Sequence, residues 1–243
     1  MISEKKAFEI IQEFKNDLIN KSEKVIGIYA IGSLGGGYYR PGESDIDTII
    51  IVKDDFELDQ YEVGDIANNY YEKYNVPKGF GAVVIEESKL YPPYNFNDEL
   101  VLEILRLKVQ GVSIYGNYDL AHIPMPTNKD LIEDARVFEK WCDSEFKGKM
   151  FDGISKVGCV NTILIHLKRY LMIELDLIDF NKLKVVSMFK KHSKHEVDHT
   201  MLDVVDNFLQ GKDICCSDFK TLKDFGSKLR DEFNELLLVN SDD

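Results

Sequence analysis

Proline is scarce in this sequence, with six in 243 residues and none after Pro126. The second half therefore lacks the residue that most often breaks helices. Cysteine is also sparse: Cys142, Cys159 and the adjacent Cys215-Cys216. No two are spaced as CxxC, which excludes a zinc ribbon and a dithiol redox motif. Long apolar runs are missing. The longest aliphatic run near the glycine-rich segment is Ile49 to Val52, far below the roughly 20 residues that cross a bilayer as a helix. The opening MISEKKAFEI mixes charged and apolar residues and has no apolar core of the signal-peptide kind. A reduced, cytoplasmic, soluble protein with no membrane partner is expected. Basic residues are outnumbered, 30 Lys+Arg against 43 Asp+Glu, for a net charge of −13. That balance argues against a protein that coats long nucleic acid, whose affinity comes from clustered Lys and Arg. There is no internal repeat and no low-complexity tract.

What is present is enough for a folded core: 44% of residues are apolar, too many for intrinsic disorder. Phe8, Ile11, Phe14 and Leu18 recur at helical spacing behind Ser3, a suitable cap. Residues 24–31 read as a strand, a glycine-rich loop runs from Gly32 to Ser44, and Asp45 to Val52 reads as a second, mostly buried strand. A helix is expected at 57–75, stopped before Pro77. A third strand follows at 79–86, a helix at 97–110, and a short strand or turn at 111–117. The character changes at Ile123-Pro124-Met125-Pro126. Beyond it, helices are expected at 128–148, 157–176, 182–192, 196–209 and 217–238. The expected class is α+β: a mixed sheet with flanking helices over 1–125, then an all-α helical bundle over 126–243.

Two pieces carry chemistry. Gly32-Ser33 ends one strand, and Ser44-Asp45-Ile46-Asp47 opens the next. Residues two apart on a strand share a face, so Asp45 and Asp47 aim together while Ile46 faces the core. Two adjacent carboxylates call for a cation. Hard oxygen donors favour magnesium, which is usually held by one or two carboxylates plus substrate phosphates. Gly35-Gly36-Gly37 offers backbone N–H groups as an anion nest. A metal beside a phosphate cradle points to chemistry on a nucleoside triphosphate.

The stretch GSLGGGYYRPGESDIDTIIIV resembles the signature of the polymerase-beta-like nucleotidyltransferase superfamily. The wider layout is similar to the aminoglycoside adenylyltransferases that modify streptomycin and spectinomycin, and GVSIYGNYDLAHIPMP resembles their linker. The resemblance implies a nucleotidyltransferase domain followed by a helical domain. It implies AMP transfer from ATP to a hydroxyl of a small, cationic acceptor, with Asp45 and Asp47 binding two magnesium ions. Gly32, Ser33 and Ser44 would position the triphosphate. Arg169 and Lys182, thirteen residues apart on successive helices, fall where the family places two phosphate-binding cations.

The family also uses a third carboxylate, early on the strand after the helix. Here that strand is GFGAVVIEES, and Gly79 or Gly81 falls at the acidic position. Glu86 is the remaining candidate for metal. A member that binds nucleotide but has lost efficient catalysis is the alternative. Among other features, His195-Glu196-Val197-Asp198-His199 spells HExxH, yet its polar surroundings suit a helix start better than a zinc site. Cys215-Cys216 reads as packing. Trp141 serves either the core or an acceptor. Asp143, Glu145 and Asp152 form either a solvated face or a cleft for a cation.

Overall fold

A computed structural model describes residues 1–98, 100–147, 149–192 and 199–240. The chain divides into two compact units, Met1–Pro126 and Thr127–Asp243.

The first unit is built on a four-stranded mixed sheet. Its strands are β1 (Val25–Ile31), β2 (Ile46–Val52), β3 (Phe80–Glu86) and β4 (Val112–Tyr115). Their order is β3-β2-β1-β4. β1 runs antiparallel to β2 and β4, while β2 and β3 are parallel. Among the described residues, four α-helices accompany them: α1 (Glu4–Lys21), α2 (Gly32–Gly35), α3 (Gln60–Tyr74) and α4 (Val101–Gln110). Ser3 caps α1 by accepting from the Lys6 amide, as the sequence suggests. Asp59 and Glu62 close a capping box at α3.

Alternation along β2 sorts the core into two sides. Ile46, Ile50 and Val52 pack with Ile10, Phe14 and Leu18 of α1 and Val63, Ala67 and Tyr70 of α3. The Phe14 ring lies 4.8 Å from Phe80 and 6.0 Å from Tyr70, centroid to centroid. Ile49 and Ile51 face the other way and pack with Ile104 and Leu107 of α4. β3 follows in register, with Ala82 on the first side and Ile85 on the second. This edge strand is closed by a side chain. The Gln60 amide donates to the Ala82 carbonyl at 2.7 Å and its oxygen accepts from the Val84 N–H at 2.8 Å. That satisfies edge groups that would otherwise template pairing.

The second unit is helical: α5 (Asn128–Phe146), α6 (Lys156–Leu175), α7 (Lys182–His192), α8 (His199–Leu209) and α9 (Cys216–Val239). Apart from His199, the HExxH segment lies outside the described residues. α6 is apolar on most of its circumference and packs against α5, α7 and α9. A buried ionic group ties α5, α6 and α9 together. Glu139 accepts from the Arg230 Nε at 2.7 Å and contacts His166 Nε2 at 2.9 Å. Arg230 also donates to Asp143 at 2.8 Å. Burial pushes the Glu139 carboxyl up, but its bonds to His166 and Arg230 win and hold it below the usual range. Among the described residues, no helix is long and apolar enough to cross a membrane.

Removing one partner of a buried ion pair strands the other. Arg230→Met is therefore expected to destabilise the protein by about 3 kcal/mol, read as a lower urea midpoint. A midpoint within error of the parent would show that Glu139 does not depend on it.

Candidate active site at the start of β2

The site forms where β1 ends and β2 begins. Asp47 is the second residue of β2 and pairs with Ile31 across β1 and with Gly81 across β3. It has the same parity as Ile49 and Ile51, so it stands on the α4 side of the sheet. Asp45 precedes the strand, and Ile46 between them is fully buried on the opposite side. The Asp47 carboxylate lies between two glycines. A Cβ added at Gly32 would sit 2.6 Å from Asp47 Oδ2, and one at Gly81 would sit 2.8 Å from Asp47 Oδ1. Gly32 also has a φ of +64°, a conformation that side chains disfavour.

Charge is crowded here. Burial, then the negative charge of Asp45, push the Asp47 carboxyl up to about 6. A guanidinium partly offsets this. Arg106 of α4 places Nη2 3.3 Å from Asp47 Oδ2, while its Nη1 donates to both Glu103 oxygens at 2.9 and 3.0 Å. Arg106 and Glu103 were not singled out by sequence reasoning. The available signal was an acid and a base three apart within the apolar run Val101–Gln110.

Ser33 follows Gly32 in α2. Its hydroxyl oxygen is buried with no hydrogen-bond partner among the described residues, a polar atom left short of a partner beside Asp47's glycine neighbour. The loop after Ser33 does not form the anion nest that its glycines suggest. The N–H groups of Gly36, Gly37 and Tyr38 donate to Gly32, Leu34 and Ser33 carbonyls, so these amides hold the loop together instead of facing an anion. Ser44 also braces the loop, its hydroxyl accepting from the Arg40 amide at 3.0 Å. Arg40 pairs with Glu43.

Glu86 does not join Asp47. It pairs with Val52, five residues along from the Asp47–Gly81 pair, which is about 16 Å at strand rise. Its parity is that of Ala82 and Phe80, on the other side of the sheet, and its carboxylate meets Lys89 at 3.1 Å. The third carboxylate expected from the resemblance is therefore absent at this place, and Gly81 stands beside Asp47. Among the described residues, no group of three or more His, Cys, Asp or Glu forms a metal cluster. Asp45 and Asp47 still fit magnesium. Two carboxylates suffice when phosphates complete the shell, and the upward shift of the Asp47 carboxyl marks a group short of positive charge.

In the helical unit, Arg169 of α6 is buried, ion-paired with Asp134 at 2.9 Å and stacked 4.3 Å over the Phe138 ring. Lys182 opens α7, is exposed, and donates to Asn161. Trp141 is exposed and sits edge-on to Phe146, so it is not a core residue. Asp143 is matched by Arg230. Glu145 and Asp152 are exposed. Cys215 caps α9 and Cys216 begins it.

Residues 11–109 match the model of the nucleotidyltransferase domain family. With the mixed sheet and its Gly-Ser loop, this makes the first unit a nucleotidyltransferase domain of the polymerase-beta-like kind. Among solved structures, the fold is similar to the spectinomycin adenyltransferase AAD(9) from Enterococcus faecialis, determined with ATP and spectinomycin. The TM-score is 0.66 at 16% identity, over 93% of this chain and 99% of that one. Likeness at this identity is likeness of fold. Two toxin–antitoxin structures, one with AMP-PNP and one a mutant of MntA-HpeT, share 14% and 12% identity over 56% of this chain and 92% of theirs. Both have a TM-score of 0.31, too low to support an argument. No curated protein matches the sequence.

The raised Asp47 pKa has a sign that can be measured. Below about pH 3.8 the carboxyl is protonated in both folded and unfolded chains. Between that value and about 6 the folded protein keeps the proton and the unfolded chain loses it, so rising pH costs stability. Without metal, Asp47→Asn is expected to gain stability over the parent above pH 6, with the gap closing below pH 4. Equal slopes in urea titrations from pH 4 to 7 would refute the shift.

Proposed function

We propose that the protein transfers AMP from ATP to a hydroxyl of a small-molecule acceptor, with an aminoglycoside-type compound the first class to test. The observation that carries this is the grouping of Asp45, Asp47 and the unbonded Ser33 hydroxyl at one sheet end. The AAD(9) likeness supports the choice of acceptor, since that structure holds ATP and spectinomycin. An acidic chain suits a cationic acceptor. The reading includes the two-domain division, a nucleotidyltransferase domain over 1–125 and a helical domain over 126–243. It also includes a phosphate role for Arg169 and Lys182, of which Lys182 is the more accessible.

Asp45 and Asp47 are the residues that would hold magnesium. When bound, the metal lowers the pKa of an acceptor hydroxyl and stabilises charge on the α-phosphate and pyrophosphate. Ser33 would donate its hydroxyl proton to a phosphate oxygen, and Gly32 would let the backbone approach. The acceptor oxygen bonds to the α-phosphorus. The bond to the bridging oxygen breaks, pyrophosphate leaves with those electrons, and the hydroxyl proton passes to water. No carboxylate at position 81 takes that proton, which sets an upper limit on rate rather than on binding. Gly81 also favours a second reading, a nucleotide-binding protein with little or no turnover.

Incubation with magnesium, labelled ATP and a panel that includes spectinomycin should yield pyrophosphate and an adenylylated acceptor in equal amounts. Asp47→Asn should reduce transfer at least about a hundredfold. Full activity in that variant would sink the metal assignment. ATP-dependent thermal stabilisation with no transfer to any acceptor would favour the second reading.

A further inference from the structure

Asp47 has two decisive neighbours. The neighbour that would share a metal with it is a glycine, and the neighbour that touches it is a cation. We propose that this site holds one divalent ion with its nucleotide, not the two that the resemblance implies, and that the Arg106 guanidinium supplies the positive charge on the Asp47 side. This rests on the nucleotidyl-transfer reading above.

The geometry supports it in three ways. Arg106 is held independently of Asp47, because Nη1 donates to both oxygens of Glu103, one helical turn back on α4. Its side chain and that of Glu103 are only 23% and 21% exposed, so water weakens the pair less than it would at the surface. The guanidinium also keeps its charge at every working pH. Next, Nη2 takes up Asp47 Oδ2 at 3.3 Å, the oxygen on the Gly32 side. The oxygen on the Gly81 side, Oδ1, has no side chain at position 81 beside it to complete an ion's shell. Finally, Arg106 lowers the protein's own demand for metal charge. Asp45, Asp47 and Glu103 bring three negative charges and Arg106 one positive. The guanidinium thus takes up part of the charge that a second ion would otherwise neutralise on the protein side, before the triphosphate adds its own. A second ion would have to bind within a few ångströms of a fixed cation, where like charges repel strongly.

The test counts ions directly and needs no turnover. Manganese is titrated into the whole protein with a saturating non-hydrolysable ATP analogue, and bound ions are counted by electron paramagnetic resonance. One ion per chain is expected, and two would overturn the inference while leaving the nucleotidyl-transfer reading intact. No ion bound, with or without nucleotide, would defeat that reading itself. Nucleotide-free manganese affinity gives a second measure. Arg106→Met removes the competing cation and should tighten manganese binding about tenfold, whereas Arg106→Lys should leave it within about twofold. Weaker binding in Arg106→Met, with an unchanged circular dichroism spectrum, would make Arg106 only a brace for Asp47 and refute the proposal. Should Arg106→Met not fold, the count in the parent protein decides alone.

Discussion

A strand can turn a side chain only to one face or the other, and the nucleotidyltransferase unit depends on how β2 makes that choice. Ile46, Ile50 and Val52 go to the side of α1 and α3. Asp47 goes with Ile49 and Ile51 to the side of α4. The burial of those aliphatic residues fixes the register, because a slip of one would send every one of them to the wrong side. The carboxylate is thus held at its place by hydrophobic packing several residues away. Its high cost in charge is tolerated because the rest of β2 cannot turn over.

The same constraint explains why Glu86 is no substitute. An acid on β3 can serve Asp47 only near the residue in register with it and on the same face. Glu86 fails on both counts, and Lys89 engages it instead. The charge that does reach Asp47 comes from outside the sheet. α4 crosses that face with Ile104 and Leu107 buried against it, and Arg106 is carried to the carboxylate by the same packing. A helix that seals the core thereby also sets the electrostatics of the site.

Much of this was legible in the residues. The strands show in runs such as Asp45 to Val52, and the helices after Pro126 show in apolar spacing uninterrupted by proline. The Gly-Ser and Asp-x-Asp pieces point to one place because a short loop joins them. Three things were not legible. Arg106 lies 59 positions from Asp47, and nothing local in α4 announces that its partner is on another element. The glycine nest failed because Gly32–Gly35 forms a helical turn, and the following amides close onto that turn instead of pointing outward. The identity of the residue beside Asp47 waited on the parallel register of β3, which two nearby glycines, Gly79 and Gly81, left open by one step of two.

Gly32 and Gly81 flank Asp47, and the two contacts differ in kind. A side chain at position 32 would need a left-handed backbone and would crowd both the Asp47 carboxylate and the Arg106 guanidinium. At position 81 the close atom is Oδ1, the free end of the Asp47 side chain, and a carboxylate tip turns at little cost. One glycine is therefore demanded by the backbone, while the other marks a place the sheet leaves open to a small residue.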